Sequence, residues 1–269
     1  MRALLFLLSR ALQGLLALLV VACIAFVLFQ FVGDPTAQML DQNATEADRH
    51  HLRAQLGLDR PALEQFASFV RRAAEGDFGV SLQQGRPVAQ LLAERVPATL
   101  ELCAIAAVLA LAVGIPLGIY TALHHKRASS HAILALSLAG NSLPTFLIGI
   151  FLILIFGVVL GVMPTFGRGE TTHAGGWTSG LLTLDGWRHL VLPALTLSLY
   201  QLTLIVRLVR GELLEVLSTD FIRFARARGL PARAIHVRHA LRNAMVPVIT
   251  VAGLQLGSII AFGIVTETV

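Results

Sequence analysis

Charged residues are scarce in this sequence. They make up 14% of its 269 residues, whereas hydrophobic residues make up 55%. A soluble domain carries about 25% charged residues, so this chain cannot cover a globule of its size with polar surface. The composition therefore excludes a disordered chain, argues against an aqueous enzyme, and indicates that lipid surrounds most of the protein.

Lysine is almost absent as well. Lys126 is the only one, and no Gly-x-x-x-x-Gly-Lys-Ser/Thr segment occurs anywhere in the chain. A phosphate loop needs that lysine against the phosphates of a nucleotide. We therefore expect that the chain does not hydrolyse ATP itself.

Clusters of reactive side chains are also missing. The two cysteines, Cys23 and Cys103, fall in apolar runs, and the paired histidines at 50–51 and 124–125 have no acidic or cysteine residues at metal-ligand spacing. The apolar runs carry no ionisable residue near their middles, which argues against coupling to protons or sodium. We predict no catalytic residues, no metal site and no cofactor.

Long apolar runs are what the sequence has instead. A membrane-spanning helix needs about 20 such residues. Five candidates lie at about 12–32, 99–123, 132–162, 190–209 and 244–265. The sequence predicts an all-α integral membrane protein in three parts: the amino-terminal region and first span (1–32), an extracytoplasmic segment (33–98), and a transmembrane core (99–269) with a loop at about 215–243.

The basic residues are distributed unevenly among the connecting segments. The amino terminus, the turn after the second span and the loop after the fourth hold 12 of the 21 basic residues and a net charge of +9, and the remainder carries −4. Lysine and arginine favour the cytoplasmic side of a membrane. We expect a cytoplasmic amino terminus and a lipid environment, and no nucleic-acid partner despite the net charge of +5.

The arginine-rich loop has the pattern of two helices around a glycine turn. Leu214, Leu217, Phe221 and Phe224 recur at spacings of three and four, which predicts one apolar stripe on a helix. Residues 218–220 offer caps for a helical restart, and Gly229 suits the position after a helix end, where φ is positive. Such a hairpin packs on its own protein or on a partner.

The sequence of this loop resembles a known family. Residues 220–229 read Asp-Phe-Ile-Arg-Phe-Ala-Arg-Ala-Arg-Gly, and residues 239–244 read His-Ala-Leu-Arg-Asn-Ala. They resemble the coupling loop of binding-protein-dependent ABC importer permeases, in the dipeptide/oligopeptide branch that also includes nickel and glutathione permeases. Segments 33–35, 56–61, 76–81, 95–100 and 192–197 resemble the same branch in the same order. Within the loop, Phe224 and Arg228 depart from the branch pattern.

The resemblance implies a type I ABC importer permease fold and a set of partners. These are a second permease subunit in a heterodimer, two ATPase subunits and an extracytoplasmic solute-binding protein, in the bacterial cytoplasmic membrane. It implies that the loop around Gly229 contacts the ATPase. The residues implied in this coupling are Arg223, Phe224, Ala225, Arg226, Gly229, His239, Leu241 and Arg242.

The polar residues within the apolar runs are candidates for the pore. They are Asn141, Ser142 and Pro144 in the third run and Gln255 in the fifth. Hydrogen bonding between helices explains them equally well.

The family pattern has a sixth span, which this sequence does not reach, so a shortened chain is expected. The leading hypothesis is a peptide importer permease; a self-sufficient channel or secondary carrier, and a non-transporting fragment, are the alternatives.

Overall fold

The computed structural model describes residues 2–31, 59–81, 84–174 and 177–267. Much of the predicted extracytoplasmic segment, residues 33–58, lies outside these ranges, as do the side chains of Asn141 and Ser142. The chain forms two compact units, Met1–Ala93 and Glu94–Val269. The three-part division expected from the sequence stays a prediction.

The first unit contains one long helix and one short helix. Helix α1 spans Arg2–Phe31, and helix α2 spans Ala62–Ala74. The ring of Phe26 on α1 contacts the rings of Phe66 and Phe69 on α2, with centroids 5.5 and 6.3 Å apart. Most described side chains of α1 are exposed, so this helix presents an almost wholly apolar surface.

The second unit is a helical bundle that begins within helix α3. Its elements are α3 (Val88–Leu123), α4 (Ala128–Ser142), α5 (Thr145–Leu152), the π-helical segment π1 (Ile153–Val159), β1 (Thr172–Ala174), β2 (Trp177–Ser179), α6 (Leu184–Ser218), α7 (Asp220–Ala227), the π-helical segment π2 (Ala234–Leu241) and α8 (Arg242–Glu267). Strands β1 and β2 form an antiparallel β-hairpin in which Thr172 pairs with Ser179.

Four helical segments in the described residues are long and apolar enough to cross a membrane: Leu4–Leu28, Val88–Leu123, Leu184–Ser218 and Ala234–Gly263. The third predicted span is divided into two shorter apolar helices, Ala128–Leu138 and Thr145–Val159. The break lies at Leu143, whose backbone is extended with ψ 136°. Pro144 explains the break, because a proline lacks an N–H and disfavours helical backbone in the residue before it.

Helices α3 and α6 pack closely along the centre of the bundle. A Cβ atom added at Gly114 would lie 2.9 Å from Cγ2 of Ile205, and one added at Gly118 would lie 2.6 Å from Cβ of Val209. Small residues on one face let two helices approach in this way. Three buried clusters follow one another along the bundle, and α6 and α8 contribute to all three.

Candidate functional site

The helical hairpin predicted from the loop is present. It consists of α7, a turn at Gly229 and π2, and it follows α6 after a break at Thr219. Thr219 occupies the N-cap position of α7, as expected, but its hydroxyl donates back to the carbonyl of Val216 at 2.6 Å instead of accepting from α7. The hydroxyl of Ser218 likewise donates to the carbonyl of Glu215 at 2.7 Å. The break itself is the extended backbone of Thr219, which has ψ 154°.

The turn after α7 has the hydrogen bonds of a Schellman motif. The amide of Leu230 donates to the carbonyl of Ala225 at 3.3 Å, and the amide of Gly229 donates to the carbonyl of Arg226 at 2.9 Å. Gly229 has φ 76°, the left-handed conformation predicted for it. Among the described residues beyond its chain neighbours, no atom lies within 4 Å of a Cβ added there, so backbone conformation is what calls for glycine.

The buried face of α7 is not the predicted one. Ile222 is fully buried and Ala225 is 7% exposed, whereas Phe221 and Phe224 are 46% and 64% exposed. The prediction of a single stripe from Leu214 to Phe224 was wrong, since α6 ends at Ser218 and the break at Thr219 changes the phase of the helix. The phenylalanines therefore form an exposed apolar surface.

Residues from four other elements pack around the buried face of α7. Ile222 and Ala225 belong to a buried group that we call the α7 cluster, with members from α3, α6, π2 and α8. Its members are Ala122, Leu213, Ile222, Ala225, Ile235, Ala240 and Ala244. The α7 cluster therefore packs α7 into the same buried group as three long helices, and side chains in such a group are closely packed.

The exposed side of α7 carries both charge and aromatic surface. Nη1 of Arg223 lies 3.2 Å from Oδ1 of Asp220, and the guanidinium of Arg228 lies over the ring of Phe224 at 5.5 Å. Arg226 is exposed next to them. Exposed pairs of this kind contribute little to stability, so the arrangement is available to a partner.

The remaining coupling candidates lie on π2 and the start of α8. His239 and Leu241 are half-buried on π2, and Arg242 is exposed where α8 begins. The side-chain Nδ2 of Asn243 donates to the carbonyl of His239 at 2.7 Å, which joins π2 to α8. Of the eight predicted coupling residues, Ala225 contributes to the buried cluster and Gly229 to the turn, and the exposed ones are Arg223, Phe224, Arg226 and Arg242.

The pore candidates are only partly described. Pro144 is exposed at the break between α4 and α5, and Gln255 is half-buried on α8. A cavity of about 360 Å³ lies beside the break, and its lining is almost wholly apolar. It includes Ser137, Gly140, Leu143 and Thr203. The assignment of pore-lining residues stays a prediction.

A hydrogen-bonded group forms around Glu101, in the first half of α3, and the sequence alone did not predict it. Glu101 is 6% exposed, and its carboxylate accepts from Nε1 of Trp177 at 2.9 Å and from the amide of Gly180 at 3.0 Å. Nη2 of Arg168 lies 3.9 Å from the same carboxylate and donates to the carbonyl of Thr178 at 2.6 Å. We call these five residues the Glu101 network.

One buried amide in α6 also escaped prediction. Gln201 is 3% exposed, and within the described part of the chain neither its amide nitrogen nor its oxygen has a hydrogen-bond partner. An unpaired buried amide costs roughly 1–3 kcal/mol.

Among the described residues, no three or more His, Cys, Asp and Glu side chains come together as a metal site would require.

Known families match the chain along most of its length. Residues 114–269 match the family described as binding-protein-dependent transport system inner membrane component, and residues 3–103 match its amino-terminal counterpart. The chain belongs to the binding-protein-dependent transport permease family. The first match alone covers more than half of the chain, and it includes the helical hairpin.

Individual permeases are similar over nearly the whole chain. The probable D,D-dipeptide transport system permease of Escherichia coli K12 is 39% identical over 263 residues, which cover 93% of this chain and 77% of that protein. The dipeptide transport system permease of the same strain is 37% identical, covering 91% and 78%. The glutathione transport system permease of Shigella flexneri is 35% identical, covering 97% and 80%.

Family membership explains the architecture. The chain is a mostly helical, multi-pass membrane protein with the type I ABC permease fold, and the β-hairpin is the one described departure from the all-α prediction. Proteins of this kind are components of larger transport systems. The resemblance seen in the loop sequence is confirmed.

Proposed function

We propose that the chain is the pore-forming subunit of an ATP-driven importer that moves peptides inward across the cytoplasmic membrane, and that α7 is the surface on which an ATPase subunit docks. The single observation that carries the docking assignment is the division of α7 into two faces. Ile222 and Ala225 are buried against the bundle, whereas Phe221 and Phe224 are exposed. Large aromatic side chains beside arginine are typical of the residues that dominate protein interfaces.

The packing of α7 explains how docking reaches the pore. Through the α7 cluster, this helix shares one buried group with Ala122 of α3, Leu213 of α6 and Ala244 of α8. ATPase closure that displaces α7 as a rigid body repacks this cluster, and three long helices follow. The Schellman turn at Gly229 keeps α7 rigid, so displacement is not absorbed within the hairpin.

The partners in this proposal are a second permease subunit in a heterodimer, two ATPase subunits and an extracytoplasmic solute-binding protein. The names of the related dipeptide permeases support a peptide substrate and a transport system of several components. The single lysine and the absence of a phosphate loop support ATP hydrolysis by other subunits. The basic segments support a cytoplasmic amino terminus and a cytoplasmic hairpin.

The test is the affinity of the ATPase for the permease when the exposed face of α7 changes. Phe224→Ala should weaken the copurification of the ATPase with the membrane complex, by roughly 30-fold if Phe224 contributes about 2 kcal/mol as interface aromatics do. Phe166→Ala is the matched control, since Phe166 is also exposed but belongs to the segment before β1. An unchanged ATPase affinity in Phe224→Ala would place the docking surface elsewhere.

Charge reversal at Arg226 separates the proposal from a self-sufficient channel. An importer with Arg226→Glu should lose peptide uptake together with ATPase stimulation, because docking fails. A channel with the same change should keep its flux, since nothing outside the chain drives it. Uptake that persists without ATP would contradict the importer.

A further inference from the structure

We propose that Glu101 is a positioning residue that fastens the β-hairpin to α3, so that a partner docked on the β-hairpin moves α3 and, through it, the α7 cluster. This inference rests on the proposed function for its partner, the extracytoplasmic solute-binding protein. It adds a contact at the opposite end of the bundle from α7. It is carried by the Glu101 network and by the packing of α3.

The strands of the β-hairpin are too short to be stable by themselves, so contacts with the helices must order it. Each strand has three residues, and an isolated two-stranded hairpin is marginal in water. Gly161, Gly167 and Gly169 all have positive φ, so the path from π1 to β1 contains several turns. The carboxylate of Glu101 ties this segment to α3 by accepting from Trp177 and Gly180. Arg168, which donates to the carbonyl of Thr178, adds a longer bond of 3.5 Å to the carbonyl of Glu94 on α3.

A second set of bonds fixes the same segment to the start of α6. The hydroxyl of Thr183 accepts from the amide of Gly186 at 3.0 Å and donates to the carbonyl of Glu170 at 2.6 Å. Oδ2 of Asp185 accepts from the amide of Glu170 at 2.9 Å. A Cβ added at Gly186 would collide with the carbonyl oxygen of Gly180. Loop, β-hairpin and the first turn of α6 therefore form one block, and Glu101 joins that block to α3.

Helix α3 links this block to the α7 cluster, which holds the helical hairpin. Ala122 belongs to the α7 cluster with Ile222 and Ala225, and it lies 21 residues after Glu101, or about 32 Å at the rise of an α-helix. Pro116 interrupts the hydrogen bonds of α3, but Gly114 and Gly118 pack against α6 on both sides of it. Helices α3 and α6 therefore act as one rod that reaches both ends.

The variant that isolates this role is Glu101→Gln. A carboxylate accepts from both Trp177 and Gly180, whereas a glutamine offers one oxygen and must turn its NH₂ group toward the other donor. One of the two hydrogen bonds is lost, because the glutamine NH₂ group then faces another N–H donor. The electrostatic attraction between residue 101 and Arg168 is lost as well. Glu170→Gln is the matched control. It is the same substitution, placed just before β1, and the hydrogen bonds described for Glu170 use its main chain and not its side chain.

The measurement is made on the assembled importer in lipid nanodiscs. Glu101→Gln should speed hydrogen exchange at residues 177–183 by roughly tenfold, the shift expected for one lost bond to a charged group. The increase in ATPase rate on adding loaded binding protein should fall by a similar factor. The basal ATPase rate and ATPase copurification should stay at the level of the unchanged chain, because α7 is intact.

Trp177→Phe provides a rescue that a general loss of stability would not give. In the double variant Glu101→Gln/Trp177→Phe, the glutamine oxygen accepts from Gly180 and its NH₂ group no longer faces a donor. Stimulation should therefore recover relative to Glu101→Gln alone. A double variant that is worse than either single variant would overturn the proposal.

Three further outcomes test this inference, and the first two separate it from the proposed function. Stimulation that stays at the unchanged level while exchange at the β-hairpin rises would overturn the role of Glu101 and leave the docking role of α7 standing. An unchanged chain that copurifies no ATPase would overturn both. Exchange that is no faster in Glu101→Gln than in Glu170→Gln would show that Glu101 does not hold the β-hairpin.

Discussion

At the scale of single residues, Gly229 is the position where backbone conformation decides the residue type. Gly229→Ala should destabilise the hairpin by about 1–2 kcal/mol, the cost of left-handed backbone for a residue with a Cβ. Its φ of 76° causes the whole effect, because the space around the added Cβ is open. Hydrogen exchange at Gly229 and Leu230, which donate the two bonds of the turn, measures it directly.

The control for this change is the same substitution within a helix. Gly211 lies in α6, and nothing stands within 4 Å of a Cβ added there. Gly211→Ala should stabilise α6 by up to about 1 kcal/mol, since alanine is a better helix former than glycine. Effects of the same sign at the two positions would contradict the role of φ at Gly229.

Single residues also show what the sequence could and could not predict. The position of Gly229 after a helix end was predictable, because only the local chain determines the need for positive φ. The partners of Glu101 were not, since Trp177 and Gly180 lie 76 and 79 residues further along the chain. Periodicity describes neighbours within one element, and it carries no information about contacts between elements.

At the scale of elements, the same limit explains the error in the predicted stripe. The spacing of Leu214, Leu217, Phe221 and Phe224 fits one continuous helix, but Thr219 has ψ 154° and separates α6 from α7. Each apolar pair then belongs to a different helix. The existence of two helices around Gly229 was predictable from capping and glycine, whereas the buried face of α7 depended on the angle at which it leaves α6.

The contact between α3 and α6 is the element-scale feature with the sharpest steric test. Gly118→Ala places a Cβ 2.6 Å from Cβ of Val209 and 3.0 Å from the carbonyl oxygen of Val206. Overpacking of this kind costs about 1–3 kcal/mol, so the melting temperature of the purified protein should fall. The increase in ATPase rate on adding loaded binding protein should also fall, because it depends on the close packing of α3 against α6.

Val209→Ala supplies the compensating change. Val209 is fully buried, so this substitution alone removes packing and lowers the melting temperature. Together with Gly118→Ala it makes room for the new Cβ, and the double variant should be more stable than the sum of the two single effects predicts. Strictly additive effects would show that the two residues are not in contact.

At the scale of the whole molecule, the distribution of charge predicts the orientation of the protein in the membrane. Segments with a net charge of +9 include the helical hairpin and the turn between α3 and α4, whereas the rest of the chain carries −4. The Glu101 network and the α7 cluster lie toward opposite ends of α3. We propose that α3 crosses the membrane, which would place the β-hairpin on one side and the arginine-rich loop on the other.

Cysteine labelling tests this orientation in intact cells. In a chain with Cys23 and Cys103 changed to alanine, Phe166→Cys should react with a membrane-impermeant maleimide from outside, and Ala128→Cys should react only after permeabilisation. Both positions are exposed, and neither belongs to the proposed docking face of α7. The reverse pattern would invert the orientation inferred from charge, and labelling of both from one side would mean that α3 does not cross the membrane.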